Sequence, residues 1–195
     1  MRARRLAFAL AAFLLALPAA VPAQELSLSV GAGGLFPSGD SYRQIYGSSF
    51  AVAGDVWLKL KGPIGLAAGF GSLADDGLAV PMSGGSTEYP LKFRRRTIPL
   101  VLFYQFDIGP VGLRAGAGAG FHSFDETWQT VDLDYSGHET GPRFLLSVSV
   151  PVLGRLSLFS SLTYDSIRKH TGYPYSYKVD LGGVQVIGGL AFRIF

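Results

Sequence analysis

The chain has 195 residues, 26 of them glycine, 14 phenylalanine and 9 tyrosine, with no cysteine, 16% charged residues and a mean hydropathy of +0.30. That length fits a single domain, and the missing cysteines exclude a disulfide framework. The net charge of +3 comes from Arg2, Arg4 and Arg5, because the other basic residues and the acidic ones balance at 14 each, so the basic pI is no argument for a nucleic-acid partner.

Those three arginines open the first element. They form a positive n-region, Leu6 to Leu17 is an apolar h-region, and Val21-Pro22-Ala23 offers small residues for cleavage, the pattern of a secretory signal peptide over 1–23. The reading is an exported protein whose mature domain covers 24–195. No later run holds the roughly 18 apolar residues that a transmembrane helix needs, which leaves a transmembrane barrel open.

From Glu25 onward the hydrophobic period is two. "ELSLSVGAGGLF" (25–36) sets Leu26, Leu28, Val30 and Ala32 against Ser27, Ser29, Gly31 and Gly33, and "SFAVAGDVWLKL" (49–60) sets Phe50, Val52, Val56, Leu58 and Leu60 against Asp55, Trp57 and Lys59. Six more runs follow at 64–72, 95–107, 111–124, 142–150, 155–165 and 180–195, giving eight strands. The run at 95–107 is apolar on both faces, and Ile98, Leu100, Leu102, Tyr104 and Phe106 are taken as outward. "KGP" (61–63), "IGP" (108–110) and "VLG" (152–154) read as tight turns. They alternate with long connections at 37–48, 73–91, 125–141 and 166–179, as in an up-and-down barrel with turns on one rim and loops on the other.

The charged residues decide which face is inside. One face of each strand is apolar, while the other mixes glycine and serine with Asp55, Lys59, Arg114, His122, Arg143, Arg155, Asp165 and Gln185. Small residues beside ionic ones suit the narrow lumen of an eight-stranded closure, and arginine on a lipid face would cost roughly 2–4 kcal/mol at the midplane. These eight residues are therefore expected to form a polar network in the lumen, with Asp55 and Asp165 as acidic partners. Phe36, Phe50, Phe70, Phe121, Phe144 and Tyr164 end the outward sets on the loop side as an aromatic girdle, and Tyr104, Phe106 and Phe192 do so at the other rim. "GAGAG" (116–120) lies inside a strand rather than before a helix, so it is no dinucleotide fingerprint. Its glycines are expected to make room for large neighbours such as Trp57 and Phe159.

A signal peptide, eight amphipathic strands, alternating turns and loops, and the terminal Phe195 together resemble the small outer-membrane β-barrel proteins typified by the OmpA transmembrane domain and OmpX. The resemblance implies an all-β, eight-stranded antiparallel transmembrane barrel in the cell outer membrane, among outer-membrane lipid and lipopolysaccharide. It also implies recognition by the barrel-assembly machinery through a C-terminal aromatic. The phase of that signal slips here, since Phe195 aligns with Arg193 rather than with Ile194 and Phe192. Either Phe195 sits past a bulge or Arg193 faces the lipid boundary and snorkels to the headgroups; the bulge is preferred, with Arg193 lumenal and Phe195 displaced to the periplasmic rim.

Some members of that group act on lipid A, which draws attention to "FHSFDE" (121–126). Alternation sends His122 and Ser123 to opposite faces, so His122 stands as a catalytic candidate without a paired nucleophile. Arg94, Arg95 and Arg96 lie near the outer rim and suit lipopolysaccharide phosphates through bidentate guanidinium contacts. The acidic stretch 125–139 lacks EF-hand spacing, and no cofactor or metal motif is read. Tyr173, Tyr175 and Tyr177 alternate like a hairpin above the membrane. The expected function is a non-enzymatic outer-membrane barrel with an envelope-structural or surface-interaction role and a filled polar lumen. The alternatives are a lipid A-modifying enzyme, a narrow pore for small solutes and a soluble ligand-binding barrel.

Overall fold

The computed structural model describes residues 25–79, 89–130, 133–171 and 177–195. The signal-peptide reading, the start at Gln24 and the tyrosines at 173 and 175 fall outside them. Among the described residues ten strands occur: β1 (Glu25–Pro37), β2 (Ser49–Lys59), β3 (Ile64–Ala79), β4 (Tyr89–Ile108), β5 (Val111–Trp128), β6 (Leu133–Leu153), β7 (Leu156–Asp165), β8 (Arg168–Thr171), β9 (Tyr177–Asp180) and β10 (Gly183–Arg193), with one helix, α1 (Asp40–Tyr46).

Eight of the strands close an antiparallel barrel in the order β1-β10-β7-β6-β5-β4-β3-β2, while β8 and β9 form a separate hairpin. Following the paired rows once around the wall from Phe36 returns to β1 at Leu26, ten residues away. This stagger tilts the strands against the barrel axis and sets the lumen's width. Each tight turn places a glycine at positive φ, with Gly62 at 87°, Gly109 at 60° and Gly154 at 52°.

The faces agree with the alternation. Val30, Phe50, Leu102, Leu146 and Leu158 are all more than half exposed on the outside, whereas Ser27, Ser29, Arg114, Arg143 and Gln185 are buried inside. A continuous exposed apolar band around a polar interior has no use in water, and it suits a closed wall that satisfies its own backbone in lipid. The expected outer girdle residues Phe36, Phe50, Phe70, Phe121 and Phe144 are exposed and Tyr164 is half-buried, all outward; Tyr104, Phe106 and Phe192 stand exposed at the other rim.

Three expectations change. The connections at 73–91 and 125–141 are largely strand, because β3, β4, β5 and β6 run on past the girdle and pair up to Ala79–Tyr89 and Trp128–Leu133. The first connection carries α1, whereas the last carries the β8–β9 hairpin, in line with the hairpin expected there. The lumen is not polar throughout: Trp57, Ala67, Val101, Phe103 and Leu145 form one buried apolar cluster, and Leu35, Leu73, Phe93, Phe124, Ile167 and Leu181 belong to another.

The glycines of "GAGAG" yield space to nearer neighbours than Trp57 and Phe159. A Cβ on Gly116 would meet Val101 and Phe103, one on Gly118 would lie 2.0 Å from the Leu100 carbonyl, and one on Gly120 would meet His122. The wall also has one thin place. Pairing of β3 with β4 lapses opposite Ile98 and Pro99. The Gln105 amide donates to the Pro63 carbonyl, so odd-numbered β4 residues address β3, and Pro99 has no N–H to offer there.

Candidate functional site

The lumen is filled in layers. At the mouth on the turn side, Glu25 lies 3.8 Å from Arg114 and 3.6 Å from Arg193, and Lys59 lies 3.9 Å from Asp107. Arg114 donates from Nε to Gln105 Oε1 at 3.0 Å, and Gln105 in turn donates to Asp107 at 3.1 Å. The Arg114 guanidinium also lies 4.7 Å from the centre of the Trp57 ring, a cation–π contact strengthened by dryness. Trp57 completes its own bonding by donating to Ser29 Oγ at 2.8 Å.

Above the apolar layer of Trp57, Phe103 and Val101 comes the deepest ionic group. Asp165, 0% exposed, accepts two bonds from Arg143 Nη1, at 2.9 and 3.1 Å, while Arg143 Nη2 donates to Thr163 at 3.2 Å. His122 shares a 3.0 Å bond between Nδ1 and Thr97 Oγ1, and its Nε2 stands 3.9 Å from Asp165 without a hydrogen-bond partner among the described residues. Asp55 and Gln185 line the same small cavity as Arg143, but the carboxylate that Arg143 engages is Asp165. The cavities at this level measure about 10 and 20 Å³, and the one at the turn-side mouth about 70 Å³. A single water needs about 10–15 Å³, so these spaces suit a few waters and no larger solute.

The outer end is closed by α1, whose seven residues lay Tyr42 and Tyr46 on Phe93, with ring centres 5.2 and 5.3 Å away. Tyr42 donates to Asp75 at 2.9 Å and sits 3.3 Å from Ser49; Tyr46 donates to Glu126 at 2.9 Å, and Trp128 donates to the other oxygen of Glu126 at 2.9 Å. Burial pushes both phenols well above their ordinary 10.0, and the carboxylates Asp75 and Glu126 push the same way. The fold thus favours the neutral phenols. Their contribution to stability is whole below about pH 10 and is lost as pH rises beyond it. Alkaline unfolding followed by circular dichroism is expected to come at higher pH in Tyr46→Phe than in the wild type.

The residues expected at the rims separate. Arg94 and Arg96 point outward and are exposed, but Arg95, in phase with Thr97, turns inward, is 2% exposed and donates to the Leu181 carbonyl at 2.8 Å. Arg95 is therefore removed from the expected lipopolysaccharide contact, since a strand's alternation cannot put three consecutive side chains on one face. Arg155 is not in the buried network either: it is exposed at the turn-side rim, where it donates to the Ile194 carbonyl at 2.8 Å.

The end of the last strand has the expected bulge. Ser27 pairs with Arg193, so an unbroken register would give both ladder bonds of Leu26 to Ile194. The Ile194 amide does donate to Leu26 at 2.7 Å, but the Leu26 amide donates to Phe195 at 3.1 Å. Two residues then oppose one, leaving Arg193 beside Glu25 at the lumen mouth and Phe195 half exposed at the rim.

His122, 2% exposed, and Ser123, on the outer face, do not meet. The sequence reading missed Glu25, Gln105, Asp107 and Tyr42. The first three were available from strand phase, whereas nothing in a seven-residue helix inside a loop announced Tyr42.

No protein-family model matches the chain, and no curated protein sequence does. Among solved structures it is similar to the outer membrane protein OprG from Pseudomonas aeruginosa, with a TM-score of 0.68 and 12% identity over 87% of this chain and 95% of that one. A major outer membrane protein from Thermus thermophilus gives 0.60 at 16% identity over 87% and 98%. Ail, the attachment invasion locus protein of Yersinia pestis, solved with the heparin analogue sucrose octasulfate, gives 0.54 at 15% over 86% and 98%. At these identities the likeness is one of fold, and the fold is that of the small eight-stranded outer-membrane β-barrels.

Proposed function

We propose that the protein is a non-enzymatic outer-membrane barrel that anchors in the bilayer and presents its raised β3–β6 sheet to the surroundings, with an envelope-structural or surface-interaction role. The filled lumen supports this reading above all: ionic layers, an apolar layer and the α1 cap occupy it, and the cavities among them described above measure about 10, 20 and 70 Å³. Export through the leader at 1–23 and delivery by the assembly machinery through Phe195 belong to the same proposal. Against the lipid A-modifying alternative stands the burial of His122, which a lipid substrate cannot reach without unpacking the wall.

Planar-bilayer recording of the purified protein is expected to show no large, stable conductance, and such a conductance would replace this reading by a pore. Incubation with lipopolysaccharide followed by mass spectrometry is expected to leave the acyl chains of lipid A intact. Loss of a chain that His122→Ala prevents would establish the enzyme instead.

A further inference from the structure

The outer face of β4 leaves the aromatic girdle as a column of cations. Ile98 pairs with Phe121; the next outward residue, Arg96, lies between Ser72 and Ser123, then Arg94 between Ala74 and Asp125, then Lys92 between Asp76 and Thr127. All three cations are exposed, and among the described residues none of them forms an ion pair within 4.0 Å. Successive outward residues stand about 7 Å apart along a strand, so the column from Arg96 to Lys92 is about 13 Å long and begins one step above the girdle. A groove of about 440 Å³ is lined on its outer side by Ala74, Asp76, Lys92, Arg94, Asp125 and Thr127.

We propose that this flank is a seat for a phosphorylated glycolipid of the outer leaflet. A phosphate fits Arg96, whose planar guanidinium binds oxygen pairs and whose two cross-strand neighbours are hydroxyls rather than carboxylates. The groove above it mixes signs. Asp76 and Asp125 beside Lys92 and Arg94 disfavour a bare anion, but they accept hydrogen bonds from the hydroxyls and amides of a sugar. Below the girdle, Ala115, Ala117 and Ala119 alternate outward on β5 opposite Tyr104, Leu102 and Leu100 of β4, a shallow trough of methyl groups for an acyl chain. Phosphate, saccharide and chain thus find matching chemistry in the order in which such a lipid presents them.

This inference rests on the outer-membrane reading of the fold. The test titrates the folded barrel in detergent with a bisphosphorylated lipid A-type glycolipid, with its dephosphorylated counterpart and with phosphatidylglycerol. The first is expected to bind at least about tenfold more tightly than the other two, and Arg96→Gln to weaken it about tenfold, the scale of one charge-assisted bond pair. Arg43→Gln, at a cation that already pairs with Asp40, is expected to change nothing, and Arg96→Ser serves as the second variant. Heat-modifiable gel migration reports folding in each case. Equal binding of phosphatidylglycerol or of the dephosphorylated lipid by folded protein would overturn the seat, as would unchanged affinity in both Arg96 variants or an equal loss in Arg43→Gln. A wild-type chain without the heat-modifiable form would instead defeat the membrane placement beneath it.

Discussion

Asp165→Asn is expected to destabilise the folded barrel by about 3–5 kcal/mol, the range for a buried ion pair that loses one partner. The substitution keeps the shape and removes the charge, so Arg143 would stay at the barrel's centre with both strong acceptors weakened. The inward Arg95, buried in the same lumen, would add to the uncompensated positive charge of the layer. Urea unfolding in detergent micelles, followed by tryptophan fluorescence, reads the loss. The double variant Asp165→Asn with Arg143→Met is expected to be more stable than the single one, because a neutral, well-packed pair often equals an ionic one. If the single variant unfolds at the wild-type urea midpoint, the pair does not hold this layer together.

Val148→Arg is expected to cost about 2–4 kcal/mol by the same measurement. Val148 is in phase with the girdle residue Phe144, four residues from it and five from the turn end of β6 at Leu153, between Leu113 on one neighbouring strand and Ser160 on the other. An arginine there meets hydrocarbon, far from either surface to which it could extend. The matched substitution Thr140→Arg, in the same phase on the same strand but above the girdle residue Phe144, is expected to be close to neutral, since its side chain reaches water. Equal costs at the two positions would remove the apolar band from the lipid.

The wall was legible because alternation is a two-way test. Inside a bilayer an outward residue must be apolar and an inward one must fit a narrow, partly ionic lumen, so every strand is constrained twice. Leu26 to Ala32 and Phe50 to Val56 satisfy both conditions and are assigned correctly, whereas Leu58, in the same outward phase, is buried. Past the girdle the outward condition lapses. Asp125 to Trp128 and Leu133 to Gly141 are paired strand, yet with water on the outer side their alternation disappears, and the glycine, serine and aspartate of "DYSGHETG" read as a loop. Arg95 shows the opposite case. Placing Ile98 outward already implied an inward Arg95, but a run of three arginines drew attention to charge rather than to phase. The apolar lumen layer was half legible: Trp57 stood on the inner face, and outward Leu100 and Leu102 implied inward Val101 and Phe103, but phase alone does not say that these side chains pack into one layer.

The unequal strand lengths have a consequence of another kind. β3, β4, β5 and β6 have 16, 20, 18 and 21 residues, while β1, β2, β7 and β10 have 13, 11, 10 and 11, and the four long strands are adjacent. Seen from above, the molecule has a front, with a standing screen, and a back, where the wall ends near the girdle. A neighbour that approaches the barrel from the side therefore meets a different object at each bearing around its axis.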